Sequence, residues 1–146
     1  MSERPTATAP AAPAKPAPAV SPEMAPFWAA ARRHELVVQR CTGCGALRFP
    51  AREICSRCLA RGVAWQPVSG RGTVFTVAVM HQANHPAFAA EVPYAVAVVE
   101  LDEGVRVTAQ VTGSPAREVT IGMPVEVWWD AVSPEVTVPR FRPRTA

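Results

Sequence analysis

The chain has 146 residues, with 15 lysines and arginines against 12 acids and only four cysteines. That length holds one ordinary domain, or a small metal-stapled module joined to a domain of about 70–80 residues. All four cysteines fall within residues 41–58 as two Cys-x-x-Cys pairs, which excludes a disulfide framework bracing distant loops and favours the two-part organisation.

The net charge of +3 is unevenly spread. Residues 1–31 sum to zero. Residues 32–61 hold seven arginines against Glu35 and Glu53, a net of +5, whereas residues 62–138 hold three arginines against eight acids, a net of −5. Arg140, Arg142 and Arg144 then add +3. A basic module joined to an acidic body with a basic tail is the expected charge layout.

Residues 1–21 are rich in Ala and Pro with no apolar period, and seven prolines fall in the first 26 residues. This predicts a disordered, polyproline-like leader and neither an export signal nor a membrane span. A soluble, cytoplasmic protein with no membrane association is expected, since metal-binding thiolates suit a reducing compartment. Ser21 before Pro22 reads as a helix start, and Met24, Phe27, Trp28 and Ala31 recur at helical spacing, so a short helix should end near Arg33. Its apolar face either docks on the next module or offers Phe27 and Trp28 to a partner.

Leu36-Val37-Val38-Gln39-Arg40 reads as a strand leading into Cys41-Thr42-Gly43-Cys44-Gly45. Two residues between thiolates let backbone N–H groups turn toward the sulfurs, and Gly43 and Gly45 relieve crowding in that turn. The second pair, Cys55-Ser56-Arg57-Cys58, follows through a hairpin-like Leu47-Arg48-Phe49-Pro50 stretch. Cys41, Cys44, Cys55 and Cys58 are therefore the candidate ligands of one structural metal ion. Zinc is the expected ion, with iron as the chemical alternative. An all-cysteine site has no open coordination position, so no catalytic role is expected for the metal.

From Gly70 onward the period changes to two. Strands are expected at 73–81, 94–101, 105–111, 125–132 and 136–138, with a hairpin at Asp102-Glu103-Gly104 and a long loop at 82–92. Val105, Val107, Ala109 and Val111 mark one face of the third. Five short strands in about 70 residues favour a small closed barrel over an open sheet. In the fourth strand Val125, Val127 and Trp129 alternate with Glu126, Trp128 and Asp130, which puts Trp128 on the outer face as a candidate interface anchor unless another part of the chain covers it. His34, His81 and His85 form no readable catalytic set, and Gly70-Arg71-Gly72 enters a strand rather than the helix a phosphate loop requires.

The Phe27-Trp28 helix, the four-cysteine ribbon with Phe49-Pro50 between its pairs, Gly70-Arg71-Gly72-Thr73-Val74, Pro93-Tyr94, Val99-Glu100-Leu101 and Ile121-Gly122-Met123-Pro124-Val125 occur in that order. Together, from about residue 22 to residue 138, they resemble the DUF35 family. The resemblance implies a mainly β fold, with an N-terminal helix and rubredoxin-like zinc ribbon at 22–66 and a five-stranded OB-fold barrel at 67–138; the basic tail expected from the charge count, residues 139–146, lies beyond it. It also implies a non-catalytic accessory subunit in a hetero-oligomer with an acyl-CoA enzyme, a thiolase-like protein or a related aldolase or hydratase, where it helps shape a channel for the CoA thioester.

With CoA as the candidate ligand, Arg48, Arg52 and Arg71 are candidates for its phosphates and Phe88 for its pantetheine arm. The other function considered is a single-stranded nucleic-acid-binding module, which ribbons and OB-folds both provide. The acidic body disfavours it, because a phosphate-tracking groove must be positive. An independent enzyme using His81 or His85 is disfavoured by the absence of a catalytic grouping around them.

Overall fold

The computed structural model describes residue 11 and residues 13–145. Residues 1–10 and 12 of the expected leader, and Ala146, lie outside the described residues. Residues 13–20 form no helix or strand. Lys15 reaches the barrel there, pairing with Glu91 and sitting 5.7 Å from the centre of the Phe88 ring.

The helix begins with a 3-10 turn at Pro22–Met24 and continues as α1 (Ala25–Arg32). Proline suits the start, where an N–H would find no intrahelical partner, and Ser21 contributes its carbonyl to Met24 N–H rather than its side chain. His34 closes the end in a left-handed conformation, φ 60°, with its N–H on Ala31 O. Phe27, Ala30 and Ala31 are buried, and the ring centre of Phe27 lies 5.1 Å from that of Trp28 and 5.2 Å from that of Phe49.

A three-stranded antiparallel sheet follows, in the order β2 (Leu47–Arg48), β1 (Val37–Cys41), β3 (Val63–Pro67). β3 was not among the expected elements. Val37 and Val38 are both buried, as a central strand covered on its two faces requires. Gln39 is buried beside them and accepts from Arg48 Nε at 2.7 Å and from Arg52 N–H at 2.9 Å, which ties the loop after β2 to the sheet.

The second half is a closed barrel of β4 (Arg71–Met80), β5 (Tyr94–Leu101), β6 (Arg106–Val111), β7 (Pro124–Ala131) and β8 (Thr137–Pro143), hydrogen-bonded in the order β4-β5-β6-β8-β7. Pairing of Arg71, Gly72 and Thr73 with Glu126, Val125 and Pro124 closes it. Gly72 permits the close approach of β4 to β5, because a Cβ there would stand 2.3 Å from Glu100 O. A register shift between Val74 and Thr76 leaves Phe75 exposed under the Arg106 guanidinium, 3.6 Å from the ring centre. The core takes Val74, Ala97, Val99, Leu101, Val107, Val111, Val125 and Phe141, and continues into Phe27, Leu36, Val37 and Val38. The alternation expected along 105–111 is present, with Val105, Val107 and Val111 buried and Arg106 and Thr108 exposed.

The last strand is the main departure from expectation. Residues 139–143, assigned from sequence to a basic tail, complete β8, and Phe141 is fully buried. Pro139 and Pro143 hide the strand in the sequence. They are tolerated because odd-numbered residues of β8 turn their backbone away from β7: Phe141 O accepts from Thr112 N–H on the β6 side, while Val127 N–H is spent on Gly70 O. No helix of the described residues is long and apolar enough to cross a membrane.

Candidate metal centre and its flanking surfaces

β1 delivers Cys41 to one end of the three-stranded sheet, and β3 returns beside it through the Cys41–Val63 pair. Two equivalent loops present the sulfurs. In the first, Cys41 N–H bonds Ala46 O at 2.9 Å and Gly45 N–H bonds Cys41 O at 2.8 Å; in the second, Cys55 N–H bonds Ala60 O at 2.9 Å and Leu59 N–H bonds Cys55 O at 3.0 Å. Cys41 and Cys55 are buried, Cys44 and Cys58 exposed. All four sulfurs lie within 4.8 Å of one another. Cys41 and Cys58 are 3.5 Å apart and Cys44 and Cys55 3.7 Å. A tetrahedron of sulfurs about 2.3 Å from a central zinc has edges of about 3.8 Å, so the donor set fits such an ion.

The ionisation of the thiols leads to the same conclusion. The backbone N–H groups of Cys58 and Arg57 favour the Cys55 thiolate and bring its pKa down to about 6. Those of Cys44 and, less strongly, Gly43 lower that of Cys41. The N–H of Ala60 favours the Cys58 thiolate too, yet crowding by Cys41, together with desolvation and the other two sulfurs, pushes it up to about 11. Four negative sulfurs in one place need a cation to ionise together.

The four residues singled out for CoA do not converge. Arg48 donates to Gln39 and, from Nη2, to Arg52 O at 2.9 Å, so its guanidinium fastens the ribbon's own loop. Arg52 and Arg71 are exposed, on the ribbon and at the start of β4. Phe88 lies in the loop between β4 and β5, in a cleft lined with Lys15, Pro18, Tyr94, Val138 and Arg140 but by none of the three candidate arginines.

Of the candidate partner contacts, Phe27 is corrected: it is only 2% exposed and belongs to the core, because the helix turns this side of its apolar stripe onto the barrel. Trp28 is half-buried and lines an apolar cleft of about 170 Å³ with Met24, Phe49, Val107 and Pro139. Trp128 is half-buried on the outer face of β7, and its indole N–H donates to Thr112 Oγ1 at 2.7 Å.

Two of the three histidines have local roles, while His81 is exposed just beyond the end of β4. His34 stacks on Trp129 with ring centres 5.8 Å apart, and His85 Nδ1 accepts from Ala87 N–H at the start of a 3-10 turn.

A feature missed from sequence is Arg140, only 8% exposed, which donates to Asp130 at 2.7 Å and to Gln110 and so ties β8 to β7 and β6. The alternation of Arg140, Phe141 and Arg142 was the available signal, obscured by counting its charges as a tail. Arg106 with Glu100 and Arg142 with Glu126 are also paired across neighbouring strands.

Comparison with known proteins gives two family matches. Residues 28–64 match "ChsH2, rubredoxin-like zinc ribbon domain", and residues 65–130 match "ChsH2, C-terminal OB-fold domain". The chain is 40% identical over 131 residues to a "Probable enoyl-CoA hydratase alpha subunit" of Thermomonospora curvata, a match covering 88% of this chain and 40% of that protein. It is 38% identical over 108 residues to the "3-oxo-4,17-pregnadiene-20-carboxyl-CoA hydratase alpha subunit" of Mycobacterium tuberculosis, covering 74% of this chain and 34% of that one. This chain thus spans well under half the length of either hydratase subunit. A "DUF35 domain-containing scaffold protein" of Methanocaldococcus jannaschii is 41% identical over 96 residues, covering 64% of this chain and 67% of the relative. Among solved structures, a chain of "Ltp2-ChsH2(DUF35) aldolase" superposes with a TM-score of 0.78 at 40% identity, covering 86% of this chain and 98% of that one. With both halves matched in order and a fold that carries the four-cysteine ribbon ahead of the closed barrel, this chain belongs to the DUF35 family, as a ChsH2-type zinc ribbon and OB-fold protein.

Proposed function

We propose that this chain is a zinc-containing accessory subunit of an acyl-CoA enzyme complex, whose catalytic partner is a hydratase, an aldolase or a thiolase-like enzyme. The observation that carries the reading is the company of its relatives: two are named as hydratase alpha subunits, and a similar solved chain belongs to an Ltp2-ChsH2(DUF35) aldolase. The site chemistry agrees with an accessory role. Four cysteines would hold zinc with no position left for substrate, so the bound ion supplies rigidity.

The chain's own residues then act by shape. Cys41, Cys44, Cys55 and Cys58 fix the ribbon, and Gln39 with Arg48 fixes the loop between the cysteine pairs. The apolar cleft beside Trp28 and Phe49 offers a surface along which a partner or an acyl-pantetheine arm can lie. Arg52 and Arg71, both exposed, are kept as candidates for CoA phosphates, and Trp28 and Trp128, both half-buried, as candidate aromatic contacts for the partner. The pairing of Arg106, Arg140 and Arg142 with carboxylates leaves the barrel few uncompensated cations, which favours a protein partner over a nucleic-acid strand.

The test is affinity purification of the tagged full chain from its native host, followed by turnover assays of the recovered acyl-CoA enzyme with and without it. Recovery of such an enzyme, with turnover that falls when the chain is removed, is expected. A recovered enzyme fully active alone would contradict the reading.

A further inference from the structure

The two halves of the metal centre repeat at an offset of fourteen residues: Cys41 with Cys55, Cys44 with Cys58, Gly45 with Leu59 and Ala46 with Ala60. Their backbones repeat as well. Gly45 has φ 75° and Leu59 φ 62°, and each donates its N–H to the first cysteine of its own pair. The left-handed region is open to glycine at little cost and strained for leucine. Nothing crowds this position in the first loop, where a Cβ on Gly45 would meet no atom within 4 Å. The second loop holds leucine in the same backbone state without burying it, for Leu59 is 75% exposed.

A strained apolar residue displayed to solvent contributes little to the fold that displays it. It is not isolated. Among the described residues six large hydrophobics are exposed, and three of them, Ile54, Leu59 and Val63, fall within this second half of the ribbon. Leu59 lies within the loop that the Cys55–Ala60 hydrogen bond closes, and Ile54 immediately precedes it. Arg40, Arg52, Arg57 and Arg61 are exposed on the same module, and among the described residues only Arg61 of these four has a carboxylate partner, Glu53. An apolar knob on a rigid base within a basic module suits a protein surface with an apolar pocket and an acidic rim.

We infer that the second cysteine loop is a docking surface whose anchor is Leu59, and that its occupant is an apolar, acid-rimmed pocket on the catalytic acyl-CoA enzyme subunit. The inference deepens the proposed function and rests on it. Metal ligation makes the knob rigid, so little side-chain or loop entropy is lost on docking. The basic surroundings steer the acidic rim toward it.

The experiment compares the metal-loaded wild-type chain with Leu59→Gly and Arg57→Glu, using as probe the acyl-CoA enzyme subunit recovered with the wild-type chain. Binding is followed by titration calorimetry and association kinetics, and each variant's metal content and thermal midpoint are measured in parallel. Leu59→Gly is expected to keep its metal and melt no lower than wild type, because glycine relieves the left-handed strain, while its Kd weakens by tenfold or more. Arg57→Glu is expected to slow association and to reduce its salt dependence.

A Kd for Leu59→Gly within twofold of wild type would overturn the docking inference and leave the proposed function standing. So would a lower thermal midpoint with unchanged binding, since Leu59 would then be structural. Self-association of the wild-type chain that Leu59→Gly abolishes, with binding to the enzyme unchanged, would assign the knob to a second copy and overturn the inference. Failure of the wild-type chain to bind any acyl-CoA enzyme would remove both readings together.

Discussion

Replacing Phe141 with alanine tests whether residues 139–143 are a strand of the barrel or a dispensable tail. Phe141 is fully buried in β8, opposite Val127 and beside the start of the loop after β6. Truncating a buried phenylalanine costs about 3–5 kcal/mol through lost burial and the cavity left behind. The Thr112 N–H bond to the carbonyl of residue 141 survives the change, so packing alone is removed. Against a domain stability of about 5–15 kcal/mol this is a large fraction. With a urea dependence of roughly 2 kcal/mol per molar, the unfolding midpoint should fall by about 2 M.

Trp128 and Trp129 on β7 face Arg140 and Pro139 across the strand pair and report the transition by fluorescence. Arg142→Ala is the control. Its pair with Glu126 is exposed, with side-chain exposures of 55% and 36%, and should contribute about 0–1 kcal/mol. Equal midpoints for Phe141→Ala and wild type would refute the assignment of β8 to the core.

Other consequences follow from the same geometry. Chelation under reducing conditions should unfold the ribbon, because a structural zinc site supplies roughly 10–16 kcal/mol of folding energy in small peptides; hydrogen exchange should show lost protection in β1 to β3 and retained protection in β4 to β8. Acidification should do the same. The pKa of Cys55 is lowered from 9.0 to about 6 in the fold, so its contribution is fully present above about pH 9 and is lost as the pH falls through about 6. Protons also compete with the metal in that direction, and metal release monitored with a chromogenic chelator should rise as the pH falls. Asp130→Ala should strand the nearly buried Arg140 and cost about 2–3 kcal/mol in urea unfolding, below the roughly 3–5 kcal/mol of a fully buried pair because Asp130 is partly solvated. Removal of residues 1–20 takes away the Lys15 contacts with Glu91 and Phe88 and should shift stability by less than about 1 kcal/mol.

What was legible from sequence depended on whether a local rule was strong enough to survive its context. Cysteine spacing is such a rule, because two residues between thiolates suffice to set a metal loop, and the four sulfurs do come together. Alternation along 105–111 is another, since β6 has one wet face and one dry face. β3 was missed because Val63-Ala64-Trp65-Gln66-Pro67 is half-exposed, does not alternate and ends in proline; only its pairing with β1 makes it a strand. β8 was cut short for a similar reason, as proline reads as a stop unless the neighbour facing its nitrogen is known. The helical spacing of Phe27 left burial and partner contact both open until its packing was known, and the left-handed backbone of Leu59 is signalled in the sequence only by its alignment with Gly45 across the two cysteine pairs.

The central claim is that this chain serves the turnover of another subunit. The most direct measurement adds the purified, metal-loaded chain stepwise to the acyl-CoA enzyme recovered with it, at fixed substrate, and follows initial rate. The account predicts a rise that saturates at a simple molar ratio and is lost when Cys55→Ser chain is added instead. A rate that is high from the start and indifferent to the added chain would contradict it.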